Sequence, residues 1–463
     1  MAGKSAAIFS VSIGTAVSEG GDPELTTLLP QPNIPTYKGY AVETGATDSF
    51  NFEEATHSAE FSRSTPGEQT LVAIGLMNTS GVEKFGTPDG QMFRAGYPDE
   101  ISVSHRFRGC KGESPTNEAW GKILGSSMGL HSPTAGEVIL ADNSADTISL
   151  IILDVDADKM PVGSPFRMQR AGELVDEYSI VTGATDLGDG TFKLDIHPGM
   201  SLIPAVGQKV NPCYAFYPVV GDGVALNDFT AKFDMGGLGT DATVRTMACG
   251  SRCTGFTLSN SEGAAAIELS FRPLVALQDD ANANVVESEE SAGAVFQHRY
   301  GARVDLCADH RLSSAPFGEA RTYLPNLDHT IAVEFDVAPG TPETRSLMRG
   351  ATQEVHNATC KVTLQTERDS DLQKMIVKDE IRTLILGFGP TGEFGQEGGA
   401  FILKNGARDT GSAGVTAGDG NRIEQETVLR AVSDFSGCNT AGLDAEGIRL
   451  ATAPFLFVLP RKA

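Results

Sequence analysis

Three groups of residues have types and spacing that could do chemistry. Gly125-Ser126-Ser127-Met128-Gly129 matches G-x-S-x-G, in which a strand turns sharply into a helix and exposes a nucleophilic serine beside an oxyanion hole. Here a helical stretch precedes the motif, so a helix-ending turn is preferred over Ser127 as a nucleophile. Asp154-Val155-Asp156-Ala157-Asp158 opens like a calcium loop. Lys159 stands where that loop needs Gly and Pro165 where it needs Glu, which excludes an EF-hand and favours a solvated acidic turn over an improvised cation site. Cys249 and Cys253 could supply two zinc ligands, yet no second Cys or His pair lies nearby at ligand spacing. The eight histidines are scattered without H-x-H or H-x-x-x-H, and no phosphate loop or dinucleotide fingerprint occurs. No catalytic residue, metal or cofactor is expected.

The elements around these groups are mostly strands. Ile101, Val103 and Phe107 alternate with Ser102, Ser104, Arg106 and Arg108. Ile267, Leu269 and Phe271 do so with Glu268, Ser270 and Arg272, and Ile331, Val333, Phe335 and Val337 with Glu334 and Asp336. Val362 and Leu364 alternate with Lys361, Thr363 and Gln365. Period-two patterns of this kind mark sheets with one covered face. Helical spacing appears in 117–125, through Trp120, Ile123 and Leu124, and in 369–386, where Gly387 ends a run holding Leu372, Met375, Ile376, Ile381, Leu384 and Ile385. The chain reads as mainly β (α+β).

Each half runs strand, helix, Gly turn and returning strands, an order that predicts a duplicated module. The first half carries about 110 residues where the second has about 40, and the excess, 136–217, has the short strands and turns of a small β-barrel. The expected division is 1–135 and 218–277 as the two parts of module 1, 136–217 as an inserted barrel, 278–292 as an acidic linker and 293–463 as module 2. The N-terminal residues read as an extended arm or strand rather than a secretory signal, because their apolar run is short and broken by serines.

Charge narrows the function. The 463 residues carry 60 acidic and 36 basic side chains, a net charge of -24 and a pI near 4.7. A protein that grips nucleic acid needs a basic face, and anionic membrane surfaces are disfavoured for the same reason. The seven cysteines are sparse and unevenly spaced, unlike a disulfide framework.

Three passages carry a family resemblance: Glu83-Lys84-Phe85-Gly86-Thr87-Pro88-Asp89, the strand–helix passage Ile101 to Gly129, and Cys253-Thr254-Gly255-Phe256-Thr257-Leu258-Ser259-Asn260 leading into Ala266-Ile267-Glu268-Leu269-Ser270-Phe271. Together they resemble the tail tube proteins of long-tailed bacteriophages, of the tandem-duplicated kind. The resemblance implies two tandem β-sandwich modules, each with one flanking helix; the inserted small β-barrel at 136–217 departs from that pattern and is expected as decoration on the outside. It implies a structural protein of the virion tail, assembled in the host cytoplasm, whose stacked rings conduct DNA from capsid to host. Rings would be trimers of the duplicated chain with pseudo-sixfold symmetry, a hexamer being the alternative. Its partners would be further copies of itself and the tail terminator, tape measure and baseplate proteins, with DNA transiting unbound and no membrane contact.

In such a tube the polar strand faces would line the lumen, and carboxylates there would repel phosphate. The candidates are Ser102, Ser104, Glu268, Ser270, Glu334, Asp336, Thr363 and Gln365, with Arg106, Arg108 and Arg272 on the same faces. Rival readings are a sheath or decoration protein, a carbohydrate-binding adhesin, for which 7% aromatics offer few stacking platforms, and a serine hydrolase using Ser127.

Overall fold

The computed structural model describes residues 9–17, 41–42, 48–51, 58–61, 100–107, 114–134, 136–168, 177–219, 226, 228–235, 243–259, 266–273, 275–281, 303–307, 322–324, 326–339, 353–367, 381–388, 398–409, 414–417, 423–432 and 442–461. The passage Glu83–Asp89 lies outside them.

The chain is mainly β, and all strand pairings among the described residues are antiparallel. It begins with β1 (Phe9–Val17), β2 (Ala41–Val42), β3 (Asp48–Asn51), β4 (Ser58–Phe61) and β5 (Ile101–Arg106), followed by helix α1 (Ala119–Gly125) and β6 (Met128–His131). Next come β7 (Val138–Asp142), β8 (Ser149–Leu153), β9 (Pro165–Met168), β10 (Glu177–Asp186), β11 (Thr191–His197) and β12 (Lys209–Pro218). The middle of the chain forms β13 (Phe229–Met235), β14 (Thr243–Ser259), β15 (Ala266–Arg272), β16 (Val275–Ala281), β17 (Arg303–Cys307) and β18 (Thr322–Leu324). Then follow β19 (Asn326–Pro339), β20 (Gln353–Glu367), β21 (Arg382–Phe388), β22 (Gly399–Arg408), β23 (Gly414–Ala417) and β24 (Ile423–Ala431). Helix α2 (Ala445–Thr452) and β25 (Phe455–Pro460) complete the chain.

Two layers emerge from the pairings. One runs β4–β5–β15–β14–β19–β20–β24–β23. The other runs β6–β12–β25–β22–β21–β17–β18, and β22 also pairs with β24 at a corner. The expected alternation is what joins them. Val103, Leu269, Phe256, Val333 and Val362 of the first layer and Phe216, Phe457, Phe401 and Leu386 of the second share one buried cluster. Phe457 sits at its aromatic centre, with ring centroids 5.7 Å from Phe107 and 6.0 Å from Trp120 of α1. Burying such rings stabilises by about 1.5–3 kcal/mol each, so this cluster is the main cohesive element.

The back of the second layer is covered too. Ala215, Ile402 and Val458 pack with Leu450 of α2 and with Tyr178 and Ile180 of β10. A further apolar cluster lies among β7 to β12, where the pairings run β7–β8–β11–β10–β9–β12 and return to β7. β12 belongs to both parts: Lys209 to Pro212 close that circuit, and Cys213 to Pro218 pair with β25 and β6.

Two expectations need correction. The helix read over 369–386 does not extend to its predicted end, because Arg382–Phe388 is strand β21. Leu384 and Leu386 face the first cluster and Ile385 the second, so a strand covered on both sides gives an unbroken apolar run that imitates a helix. Residues 369–380 lie outside the described set. The acidic stretch read as starting at residue 278 is strand up to Ala281, with Gln278 opposite Thr246; the remainder of 278–292 lies outside the described residues.

Candidate functional site

The motif serines are structural. α1 ends at Gly125, and Ser127 is fully buried, its hydroxyl donating to the Cys253 carbonyl at 2.6 Å. Ser126 donates to Ile123 O at 2.7 Å and accepts from the Cys253 N–H at 2.9 Å. The motif therefore fastens a helix end to β14 where that strand bulges between Cys253 and Gly255. Cys249 and Cys253 lie four positions apart on this one strand, roughly 13 Å at the usual rise, too far to share an ion. Burial pushes the Cys253 thiol up to about 12. Asp154–Lys159 is a 3-10 turn in which Lys159 Nζ bonds Asp156 Oδ1 at 2.7 Å. Among the described residues no group of three or more His, Cys, Asp or Glu could hold a metal, and no helix is long and apolar enough to cross a membrane.

All eight candidate residues fall on the face of the first layer that points away from the core. β5 and β15 set Ser102 opposite Ser270, their hydroxyls 2.9 Å apart, and Ser104 opposite Glu268. β14 then places Thr257 beside Glu268 and Gly255 beside both Ser270 and Glu334. Along β19 and β20, Asp336 opposes Asn357, Thr330 opposes Thr363, and Asp328 opposes Gln365. Glu268, Glu334, Asp336 and Gln365 are exposed, whereas Ser102, Ser270 and Thr363 are half-buried; Ser104 is placed by register alone. Strand period two explains the sorting: Phe335, between Glu334 and Asp336, is 5% exposed.

Near the lower end of β14 the face sinks into a depression of about 400 Å³, with Glu100, Thr254, Arg272, Glu334 and Asp336 on its walls. Thr254 Oγ1 donates to Glu100 Oε1 at 2.5 Å, and Arg272 stands 4.0 Å from Glu100 Oε2. A close backbone approach shapes this floor, since a Cβ on Gly255 would lie 2.8 Å from the Val333 carbonyl oxygen.

The candidate list omitted two cations on this face, Lys361 and Arg430, which are opposite one another in the β20–β24 register. Lys361 Nζ reaches Asp409 Oδ2 at 3.5 Å. Pairing with β20 is what puts Arg430 on this face. No family model matches this chain, and no curated protein matches it either.

Proposed function

We propose that this protein is a structural ring subunit of a viral tail tube, built from two tandem modules and an inserted barrel. The observation that carries the reading is the first layer itself. One face is apolar and packed, the other is polar and uncovered among the described residues, and its terminal strands β4 and β23 each leave one edge unpaired among them. Exposed edges invite pairing with another chain, and ring closure removes them. Three such eight-strand layers joined edge to edge close about 24 strands, roughly 45–50 Å across at the backbone, a channel wide enough for duplex DNA.

Element order supports the duplication. β5, β6 and β12 of the first half correspond to β20, β21 and β22 of the second. In each triplet the first strand belongs to the first layer, and the other two pair with each other in the second layer. β12 and β22 flank β25 from its two sides. The six-strand circuit then occupies the β6–β12 connection, which supports an insertion into one module.

Negative-stain microscopy of the purified protein tests the proposal. Hollow rings or tubes roughly 10 nm across are expected from a central barrel with a second layer and an outer unit around it. Monomers over a wide concentration range would count against it.

A further inference from the structure

Among the described residues nine large apolar side chains are exposed, and eight of them belong to 136–217. Three of the eight, Leu153, Val155 and Leu187, are brought to one end of the β7–β12 circuit. β8 ends at Leu153, opposite Thr191 of β11, and the next residue, Asp154, donates its N–H to the Gly190 carbonyl at 3.0 Å. Leu187 donates its N–H to the Thr191 carbonyl at 3.0 Å, which sets the β10–β11 tip beside the end of β8. Val155 follows in the 3-10 turn and is 79% exposed. A Cβ added at Gly188 or Gly190 would meet nothing within 4 Å, so the described chain leaves this tip uncovered.

The charge here has one sign. Asp154 and Asp158 of the turn and Asp186 and Asp189 of the tip are all exposed. The cations of these elements are already held by other carboxylates, Lys159 by Asp156 at 2.7 Å and Lys193 by Asp195 at 3.3 Å. Single apolar side chains are ordinary on a surface, but a group of them with a charged rim marks a docking surface. The rim then selects the occupant. A second copy of a chain of charge -24 would bring carboxylates against carboxylates, and an anionic lipid surface would repel them too.

We propose that this end of the β7–β12 circuit docks a protein segment that presents apolar side chains among lysines or arginines, with Val155 and Leu187 as the anchors. The inference goes beyond the ring reading and stands without it, since every residue it uses lies within one circuit of strands.

The test follows binding of a fluorescent amphipathic peptide of Leu and Lys to the full-length protein, with a matching peptide of Leu and Glu as the contrast. Val155→Ser combined with Leu187→Ser removes the anchors without changing charge. Asp186→Asn combined with Asp189→Asn removes charge from the tip, and carries the test should the first variant lose its native circular dichroism spectrum. The Leu/Lys peptide should bind wild type, and each double variant should weaken it about tenfold or more. The Leu/Glu peptide should not bind. Equal affinity of wild type and the folded double serine variant overturns the surface, because bulk charge would then account for binding. So does a wild type that leaves the Leu/Lys peptide unbound. Self-association of wild type that the double serine variant loses would assign the tip to a second copy and overturn the proposal. Binding of phosphatidylcholine vesicles lost in the same variant would assign it to lipid and overturn the proposal as well.

Discussion

Single residues show where polar groups have been taken out of water and what that requires. Asp228 is held by Arg252, with Oδ1 at 2.6 Å from Nη2 and 2.8 Å from Nε. Burial outweighs that partner and raises the Asp228 carboxyl above its ordinary 3.8. Between 3.8 and the raised value the folded protein keeps a proton that the unfolded chain has released. The group's contribution is therefore fully present below 3.8 and declines as pH rises through that window. Asp228→Asn should flatten the decline when urea unfolding is followed across acidic pH, and an unchanged pH profile would contradict this. Ser127→Ala presents a different case. It leaves the Cys253 carbonyl without its 2.6 Å donor, which should cost about 1–3 kcal/mol in thermal or urea unfolding and leave assembly intact. The Cys253 and Cys360 thiols, both fully buried and both raised by desolvation, should resist alkylation until the protein unfolds.

Among the elements, strand alternation was legible wherever one face met the core and the other did not. β5, β15, β19 and β20 could be read residue by residue, because burial imposes period two on them. Strands covered on both faces lack that period: β21 hid behind helical spacing, and its neighbours β22 and β25 are buried on both sides. Helix α2 escaped for another reason. It has only two buried residues, Gly447 and Leu450, and depends on local chemistry instead. The Asp444 side chain caps it by accepting from the Gly447 N–H at 2.7 Å, and buried Lys404 donates to the Leu450 carbonyl at its other end. A cation at a helix C-terminus is favourable, and here it also satisfies last-turn carbonyls. Asp444→Ala should cost about 1 kcal/mol. At the junction of the two halves, Gly255→Ala would press a methyl group against the Val333 carbonyl where β14 meets β19. That change should cost about 1–3 kcal/mol in urea unfolding, and a neutral result would mean the junction has room to shift.

The whole molecule turns on what its polar face is for, which neither the strand patterns nor the layer packing decides alone. A net charge of -24 disfavours a grip on DNA, and the face concentrates the relevant groups, with Glu268 on β15 and Glu334 and Asp336 on β19 all exposed on either side of β14. Counterions condensed on a duplex are released only where cations neutralise its phosphates, and carboxylates neutralise none, so this surface gains no binding from counterion release. A conduit gains from this, since every lysine facing the duplex would add to its retention. Glu268→Lys, Glu334→Lys and Asp336→Lys in one variant should therefore convert the face from repelling to holding. Duplex binding, absent in wild type at physiological salt, should appear in the variant and weaken with added salt, with a log–log slope steepening by about 0.9 per phosphate neutralised. If wild type binds duplex as tightly as the triple variant, with a similar slope, the acidic face does not serve passage. If the variant gains no affinity at all, DNA does not reach that face, and the layer must close around something else.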